Sequence, residues 1–149
     1  MNGMESITVI GYRHTGIIVS DLRISLDFYR GLLGLEVIQE HQDSSEYISK
    51  ITNLEKLEAK YAKLRIPDGK ILELLTYPSH PTSRLGAEIH NVGEAHLAFQ
   101  VANADVAYSF LKSAGVTCLS EPVLSSEKIA RVFFCLDPDR YRVEIVEMI

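Results

Sequence analysis

The chain carries the same pattern of apolar and polar residues twice, and this internal repeat constrains its fold more than any other feature. The stretch HTGIIVSDLRISLDFYRGLLGLEVI, which starts at His14, lines up with HLAFQVANADVAYSFLKSAGVTCL, which starts at His96. Each copy opens with a His before an alternating apolar run, continues into an amphipathic segment and, after a glycine, returns to an apolar run. Because alternation predicts a strand and three- to four-residue spacing predicts a helix, each copy begins as strand, helix, strand.

The second halves of the two copies also match. KLRIPDGKILELL and FFCLDPDRYRVEIV each join two apolar runs through a Pro-Asp turn, which is typical of a hairpin. In both, a Glu stands six residues after the proline: Glu73 follows Pro67, and Glu144 follows Pro138. The sequence therefore predicts an α+β fold of two βαβββ modules. We expect residues 1–149 to form one domain, with module one at about 11–77, a linker at about 78–93 and module two at about 94–149.

The two predicted helices have recognisable ends. Ser20 or Asp21 can cap the first helix, and Asn103 or Asp105 can cap the second, because short polar side chains accept hydrogen bonds from the free N–H groups of a first turn. The apolar residues of the second helix that we expect to face the core are Val106, Phe110 and Leu111.

Composition and charge argue against several classes of protein. A hydrophobic share of 46% and a charged share of 23% are those of an ordinary globular chain. The net charge of -5, without a Lys/Arg cluster, argues against binding to nucleic acid. No apolar run is long enough to cross a membrane and the start has no signal-like pattern, so we expect a cytoplasmic protein. The charged stretch from Lys50 to Lys63 is interpreted as a solvated segment.

Four side chains at matching places in the two copies predict a metal site. A strand Glu between apolar neighbours, such as Glu73 or Glu144, is costly to bury unless a cation compensates its charge. If a pseudo-twofold axis relates the copies, His14 and His96 can converge with these two carboxylates on one point. Two imidazoles and two carboxylates suit one divalent ion, Zn, Ni, Co, Fe or Mn, with a position left for water or substrate.

These residues also carry a resemblance to a known family. The openings from His14 and His96, the LELL segment and the closing DPDRYRVEIVE closely resemble the vicinal oxygen chelate superfamily, also called the glyoxalase/bleomycin resistance/dioxygenase superfamily, from about residue 12 to residue 147. The resemblance implies paired βαβββ modules forming an open, cupped mixed β-sheet around a metal, whose four ligand positions fall on His14, Glu73, His96 and Glu144. It also implies a homodimer that acts on a small molecule.

Within the superfamily, the set of two His and two Glu resembles that of bacterial glyoxalase I. This implies a metal-dependent lyase or isomerase, similar to lactoylglutathione lyase, that removes a proton α to the metal-chelated carbonyl of a small hemithioacetal or thioester. Glu144 falls on the position of the base, and Glu73 is a candidate for the same role on the opposite face of the substrate. Ile18 and Tyr77 stand where glyoxalase I has the Arg and Asn that anchor glutathione.

Ile18 and Tyr77 argue against glutathione as the thiol, and the superfamily contains other activities that stay open as alternatives. They are an acyl-CoA epimerase resembling methylmalonyl-CoA epimerase, an Fe(II) extradiol dioxygenase, and a non-catalytic ligand-binding protein similar to the bleomycin-resistance proteins.

Overall fold

The described part of the chain forms two four-stranded mixed sheets and three α-helices. The computed structural model describes residues 6–84 and 88–149. The first sheet, in the order β1-β4-β3-β2, contains β1 (Thr15–Ile18), β2 (Glu36–Asp43), β3 (Ala59–Arg65) and β4 (Ile71–Thr76). The second, in the order β5-β8-β7-β6, contains β5 (His96–Gln100), β6 (Val123–Leu124), β7 (Ala130–Leu136) and β8 (Arg142–Met148). The helices are α1 (Leu22–Leu26), α2 (Glu46–Thr52) and α3 (Ala104–Ser113).

The predicted α+β fold of two βαβββ modules is confirmed. In each sheet the first strand of a module pairs in parallel with the last, while the remaining pairings are antiparallel. The register is the same in both sheets, since Gly16 lies opposite Glu73 and Ala98 lies opposite Glu144. Two segments lie outside the described residues. They are residues 1–5, where we expect no signal, and residues 85–87 of the predicted linker. In the described ranges, no helix has the length and apolar character needed to cross a bilayer.

The two helices predicted from the sequence, α1 and α3, each start at one of their two predicted caps. The Asp21 carboxylate accepts hydrogen bonds from the N–H groups of Arg23 (2.9 Å) and Ile24 (3.1 Å), and the Asn103 side chain accepts one from Val106 (2.9 Å). After α1 the helix widens into a π-helical stretch (Asp27–Leu32). A wider turn changes which side chains face the sheet.

The prediction for the inward face of α3 is wrong for two of its three residues. Leu111 is buried, but Val106 and Phe110 are exposed. The buried stripe begins instead at Ala104 and continues through Ala107 and Tyr108 to Leu111. This spacing is the regular helical one, and it starts at a small residue that lets the helix approach the sheet closely. Val106 and Phe110 therefore lie on the other side of the helix.

The two modules are joined where module one meets the turn between β7 and β8. The buried Tyr29 hydroxyl, next to α1, donates a 2.8 Å hydrogen bond to Asp137 Oδ2, and the Ser20 N–H donates one of 2.9 Å to Asp139 Oδ2. Asp137 Oδ1 also accepts from the N–H groups of Asp139 (2.9 Å) and Tyr141 (2.8 Å). Burial raises the pKa of Asp137, and these hydrogen bonds oppose the shift. One carboxylate therefore closes the turn and joins the modules.

The same turn contains a residue in the left-handed region. Arg140 has a φ of 66°, where the matching hairpin of module one has Gly69 with a φ of 90°. A left-handed backbone costs a residue with a Cβ about 1–2 kcal/mol. Because glycine adds freedom to the unfolded chain, Arg140→Gly is expected to raise the free energy of unfolding by only about 0.5 kcal/mol. Urea unfolding measures the change. Arg140→Ala keeps the Cβ, so an equal gain in that variant would contradict the explanation.

Candidate metal centre

Module one brings the first predicted pair of ligands together. His14 directly precedes β1, and Glu73 lies in the middle of the neighbouring strand β4. The parallel pairing of these strands puts both side chains on one face of the sheet, with 3.9 Å between His14 Nε2 and Glu73 Oε1. The Glu73 side chain is 12% exposed and that of His14 36%. A carboxylate this buried is stable as an anion only beside cationic or hydrogen-bonding groups.

Module two repeats the arrangement with the second predicted pair. His96 is the first residue of β5, and its Nε2 lies 3.2 Å from Oε2 of Glu144 on β8. The His96 ring also packs edge-on against the ring of Phe134, with 5.3 Å between the centroids. The side chains of His96 and Glu144 are 45% and 23% exposed, so this pair is the more open of the two.

The geometry of each pair fits two ligands of one metal ion. Metal–nitrogen and metal–oxygen bonds of about 2.0–2.2 Å place neighbouring ligand atoms roughly 3.0–3.5 Å apart. The 3.2 Å separation in module two matches that range, and the 3.9 Å separation in module one needs only a small inward shift. Imidazole nitrogen with carboxylate oxygen is also a donor set that transition metals accept.

The chain holds the four predicted ligands as two separate pairs. Within residues 6–84 and 88–149, the His, Cys, Asp and Glu side chains form no group of three or more that could hold a metal ion. The predicted convergence of His14, Glu73, His96 and Glu144 on one ion stays a prediction. We call each pair a half-site: His14 with Glu73 in module one, and His96 with Glu144 in module two.

Lys63 belongs to the surroundings of Glu73. The interpretation of the stretch from Lys50 to Lys63 as solvated is wrong at this residue and at Leu57, Ala59 and Ala62, which are buried because β3 and the segment just before it pack them against the core. The Lys63 Nζ lies 3.8 Å from Glu73 Oε2, and its side chain is 24% exposed. The same ammonium lies 5.5 Å from the centroid of the Tyr61 ring. The repeat marks the residue that lies opposite each Glu. Lys63 stands ten residues before Glu73, just as Phe134 stands ten residues before Glu144.

Tyr77 and Ile18 stand at the two positions where the resemblance places the glutathione anchors. Burial, and then the negative charge of Glu73, raise the pKa of Tyr77, so its hydroxyl keeps its proton at neutral pH. Ile18 is exposed and lines a groove of about 420 Å³ together with Ser20, Arg84 and Tyr141. The groove therefore presents an apolar residue at the position where the resemblance places a glutathione-anchoring Arg.

Comparison with known families identifies the fold. A family model described as the glyoxalase/bleomycin resistance protein/dioxygenase superfamily matches residues 11–145. The chain belongs to this superfamily. Its relatives include lactoylglutathione lyases. It is 31% identical over 141 residues to the lactoylglutathione lyase of Schizosaccharomyces pombe. This match covers 89% of this chain and 46% of that relative. The chain thus spans about half the length of the yeast enzyme. A lactoylglutathione lyase of Salmonella typhimurium is 28% identical over 138 residues, with 90% of each chain covered.

Solved structures of superfamily members share the fold. A glyoxalase family protein from Bacillus cereus superposes with a TM-score of 0.87 at 21% identity and covers 98% of this chain and 99% of its own. A glyoxalase I from Leishmania major, described as trypanothione-dependent, superposes with a TM-score of 0.64 at 22% identity over 90% of this chain and 84% of its own. At these identities the superpositions establish the superfamily fold alone.

Proposed function

We propose that this superfamily member is a divalent-metal-dependent lyase or isomerase of the glyoxalase I type. Its substrate would be a small hemithioacetal or thioester that loses a proton α to its carbonyl. The observation that carries the proposal is the presence of a His–Glu half-site at the same register position in both sheets. Two half-sites together offer the four donors that Zn, Ni, Co, Fe or Mn accepts.

The four side chains would have different roles in metal binding and proton transfer. His14 and His96 would hold the ion through Nε2, and both Glu would supply oxygen ligands. When bound, the ion acts as a Lewis acid that polarises the substrate carbonyl and makes the neighbouring C–H more acidic. A Glu144 oxygen would accept that proton and return it to the adjacent carbon, because a base must reach a C–H close to the carbonyl. Of the two carboxylates, Glu144 is the more exposed and so the better placed to meet a substrate.

The same proposal includes a homodimer. Each half-site lies on its own sheet and leaves its histidine one-third or more exposed. A twofold dimer in which the module-one half-site of one copy faces the module-two half-site of the other would produce two complete and equivalent sites. This arrangement uses both open faces of each chain.

A second candidate function is the epimerisation of an acyl-CoA thioester. The exposed Ile18 supports it, because an apolar side chain cannot bind a glutathione carboxylate as an Arg does. Epimerisation needs the same removal of an α-proton but returns it to the same carbon from the opposite face. Glu73 and Glu144 would then serve as a pair of bases on opposite faces of the substrate.

Proton–deuterium exchange in D2O tests the proposal. The protein is loaded separately with each candidate metal and offered hemithioacetals of several thiols and acyl-CoA thioesters. We expect metal-dependent exchange of the α-proton with at least one class, and a loss of about 100-fold or more in Glu144→Gln, because a positioned base contributes that much. Glu147→Gln is the matched control, since Glu147 lies on the same strand and accepts the Ala104 N–H at 2.8 Å.

Other results would separate the alternatives. Metal binding without α-proton exchange in any substrate contradicts the proposal. Oxygen uptake with catechols by the Fe(II) form supports a dioxygenase instead. Binding of a small molecule by the metal-free protein, unchanged in Glu144→Gln, supports the ligand-binding alternative.

A further inference from the structure

The two half-sites differ at one position in an otherwise matching arrangement. In the antiparallel pairing of β3 with β4, Lys63 lies directly opposite Glu73. In the equivalent pairing of β7 with β8, Phe134 lies directly opposite Glu144. The repeat therefore puts an ammonium beside one candidate ligand and an aromatic ring beside the other.

The contacts show what Lys63 does to Glu73. Its Nζ lies 3.8 Å from Glu73 Oε2, while His14 Nε2 approaches the other carboxylate oxygen, Oε1, at 3.9 Å. Lys63 also lies over the ring of Tyr61, which limits its own freedom. The two oxygens of Glu73 thus have different neighbours: Oε2 faces a fixed positive charge, and Oε1 faces the histidine that shares its half-site.

Glu144 has a different environment. Among residues 6–84 and 88–149, His96 is the only basic side chain within ion-pair distance of this carboxylate. The ring of Phe134 packs edge-on against His96 and so holds the histidine instead of the carboxylate. Rotation of the Glu144 side chain away from His96 therefore breaks no contact to a second charged side chain of the described residues.

This difference has an energetic consequence. A part-buried carboxylate that leaves an ion pair also leaves the ammonium without its partner, so both charges oppose the movement of Glu73. Groups that bind the outer oxygen of a ligand orient that ligand and tune its affinity for the metal. The same restraint does not act on Glu144, because Phe134 is uncharged.

We propose that Lys63 is a positioning residue that fixes Glu73 as a permanent metal ligand through Oε1, and so leaves the role of base to Glu144. The proposal rests on the metal-dependent function proposed above. It assigns the two Glu different roles from a contact that only one of them makes.

Three variants test Lys63 through metal affinity, which is measured by competition with a chromophoric chelator and does not depend on turnover. Lys63→Met removes the charge but keeps the length of the side chain, and we expect the Kd for Zn²⁺ or Co²⁺ to rise about 10-fold or more. Lys63→Arg keeps the charge and is expected to recover most of that affinity. Lys60→Met is the matched control, because Lys60 lies on the same strand, on the face opposite Lys63, and its own side chain is exposed.

The reciprocal change tests Glu144. Phe134→Lys places an ammonium opposite Glu144, so the carboxylate becomes restrained in the way that Glu73 is. We expect the Kd for the metal to stay within a few-fold of wild type or to fall, while the rate of α-proton exchange falls about 10-fold or more. Phe134→Met removes the ring without adding charge and is expected to exchange several-fold faster than Phe134→Lys.

The outcomes separate the two proposals. If wild type binds no divalent metal, the proposed function fails, and the role of Lys63 fails with it. If wild type binds metal and Lys63→Met binds it as tightly as Lys63→Arg does, Lys63 is not a positioning residue although the proposed function stands. Equal exchange rates in Phe134→Lys and Phe134→Met also overturn the division of roles. Thermal unfolding identifies any variant that fails to fold, and the Lys63 variants decide the question if Phe134→Lys is one of these.

Discussion

A heterodimer of one His14→Ala chain and one His96→Ala chain is expected to bind about half as much divalent metal as the wild-type dimer, although neither variant binds metal when alone. In the proposed dimer each site takes the module-one half-site of one copy and the module-two half-site of the other. The mixed dimer then contains one site with both histidines missing and one intact site. Two affinity tags, purified in series after co-expression, isolate the mixed dimer for metal analysis.

The control is a mixed dimer in which each chain carries a substitution in its own module-one half-site. His14→Ala paired with Glu73→Ala damages both sites of the dimer and is expected to restore nothing. We expect each single substitution to weaken metal binding by more than about 100-fold, since even the loss of an outer-sphere partner costs 10- to 100-fold. Equal metal contents in the two mixed dimers would contradict a site shared between copies.

Asp137→Ala is expected to lower the free energy of unfolding by about 3 kcal/mol, which corresponds to a fall in Tm of roughly 6–12 °C for a chain of this size. The substitution removes the acceptor of the buried Tyr29 hydroxyl and of the N–H groups of Asp139 and Tyr141. Each donor left without a partner costs about 1–3 kcal/mol, and relief from burying the carboxylate offsets part of the sum. Calorimetry and urea unfolding measure the loss.

Asp68→Ala is the matched control, because Asp68 lies in the equivalent hairpin of module one but is exposed. We expect it to cost less than about 1 kcal/mol. An equal loss in the two variants would mean that the turn itself, and not the contact between modules, carries the stability. Tyr29→Phe removes only the 2.8 Å bond to Asp137 and is expected to lie between them.

The stability that depends on Asp137 should also change with pH. Burial raises the pKa of this carboxyl in the folded protein, so the folded state binds the proton more tightly than the unfolded chain does. Its contribution is therefore most favourable below the unfolded pKa and is lost as the pH rises through the folded pKa. The free energy of unfolding of wild type, relative to that of Asp137→Asn, is expected to fall across that window and to stay constant above it.

The repeat made much of the fold predictable. Pro67 and Pro138, each six residues before a Glu, predict a hairpin in each module and place Glu73 and Glu144 on the last strand of a module. The half-sites follow, since a parallel first strand brings the opening His beside that Glu. These features depend on apolar alternation and turn residues, which are local in the sequence.

The features that were mispredicted depend on contacts between distant residues. Apolar character alone predicts that Val106 and Phe110 face inward, but α3 buries Ala104, whose N–H donates to Glu147 on β8, and leaves those two residues exposed. Lys63 ends the charged stretch from Lys50, which predicts a solvated side chain, whereas its neighbour across the sheet is Glu73. The π-helical widening after α1 has no marker in the sequence that we recognise.

The parallel pairing of each module's first and last strands has a consequence for the order in which the molecule folds. Within each module, these are the strands farthest apart along the chain, so the chain must close its longest loop to join them. Because such closures cost the most entropy and slow folding, we expect hairpins to form earlier and the β1–β4 and β5–β8 contacts to form late. The His and Glu of a half-site would then come together only when the module is nearly native. A partly folded chain would bind a metal ion through single ligands, and therefore weakly.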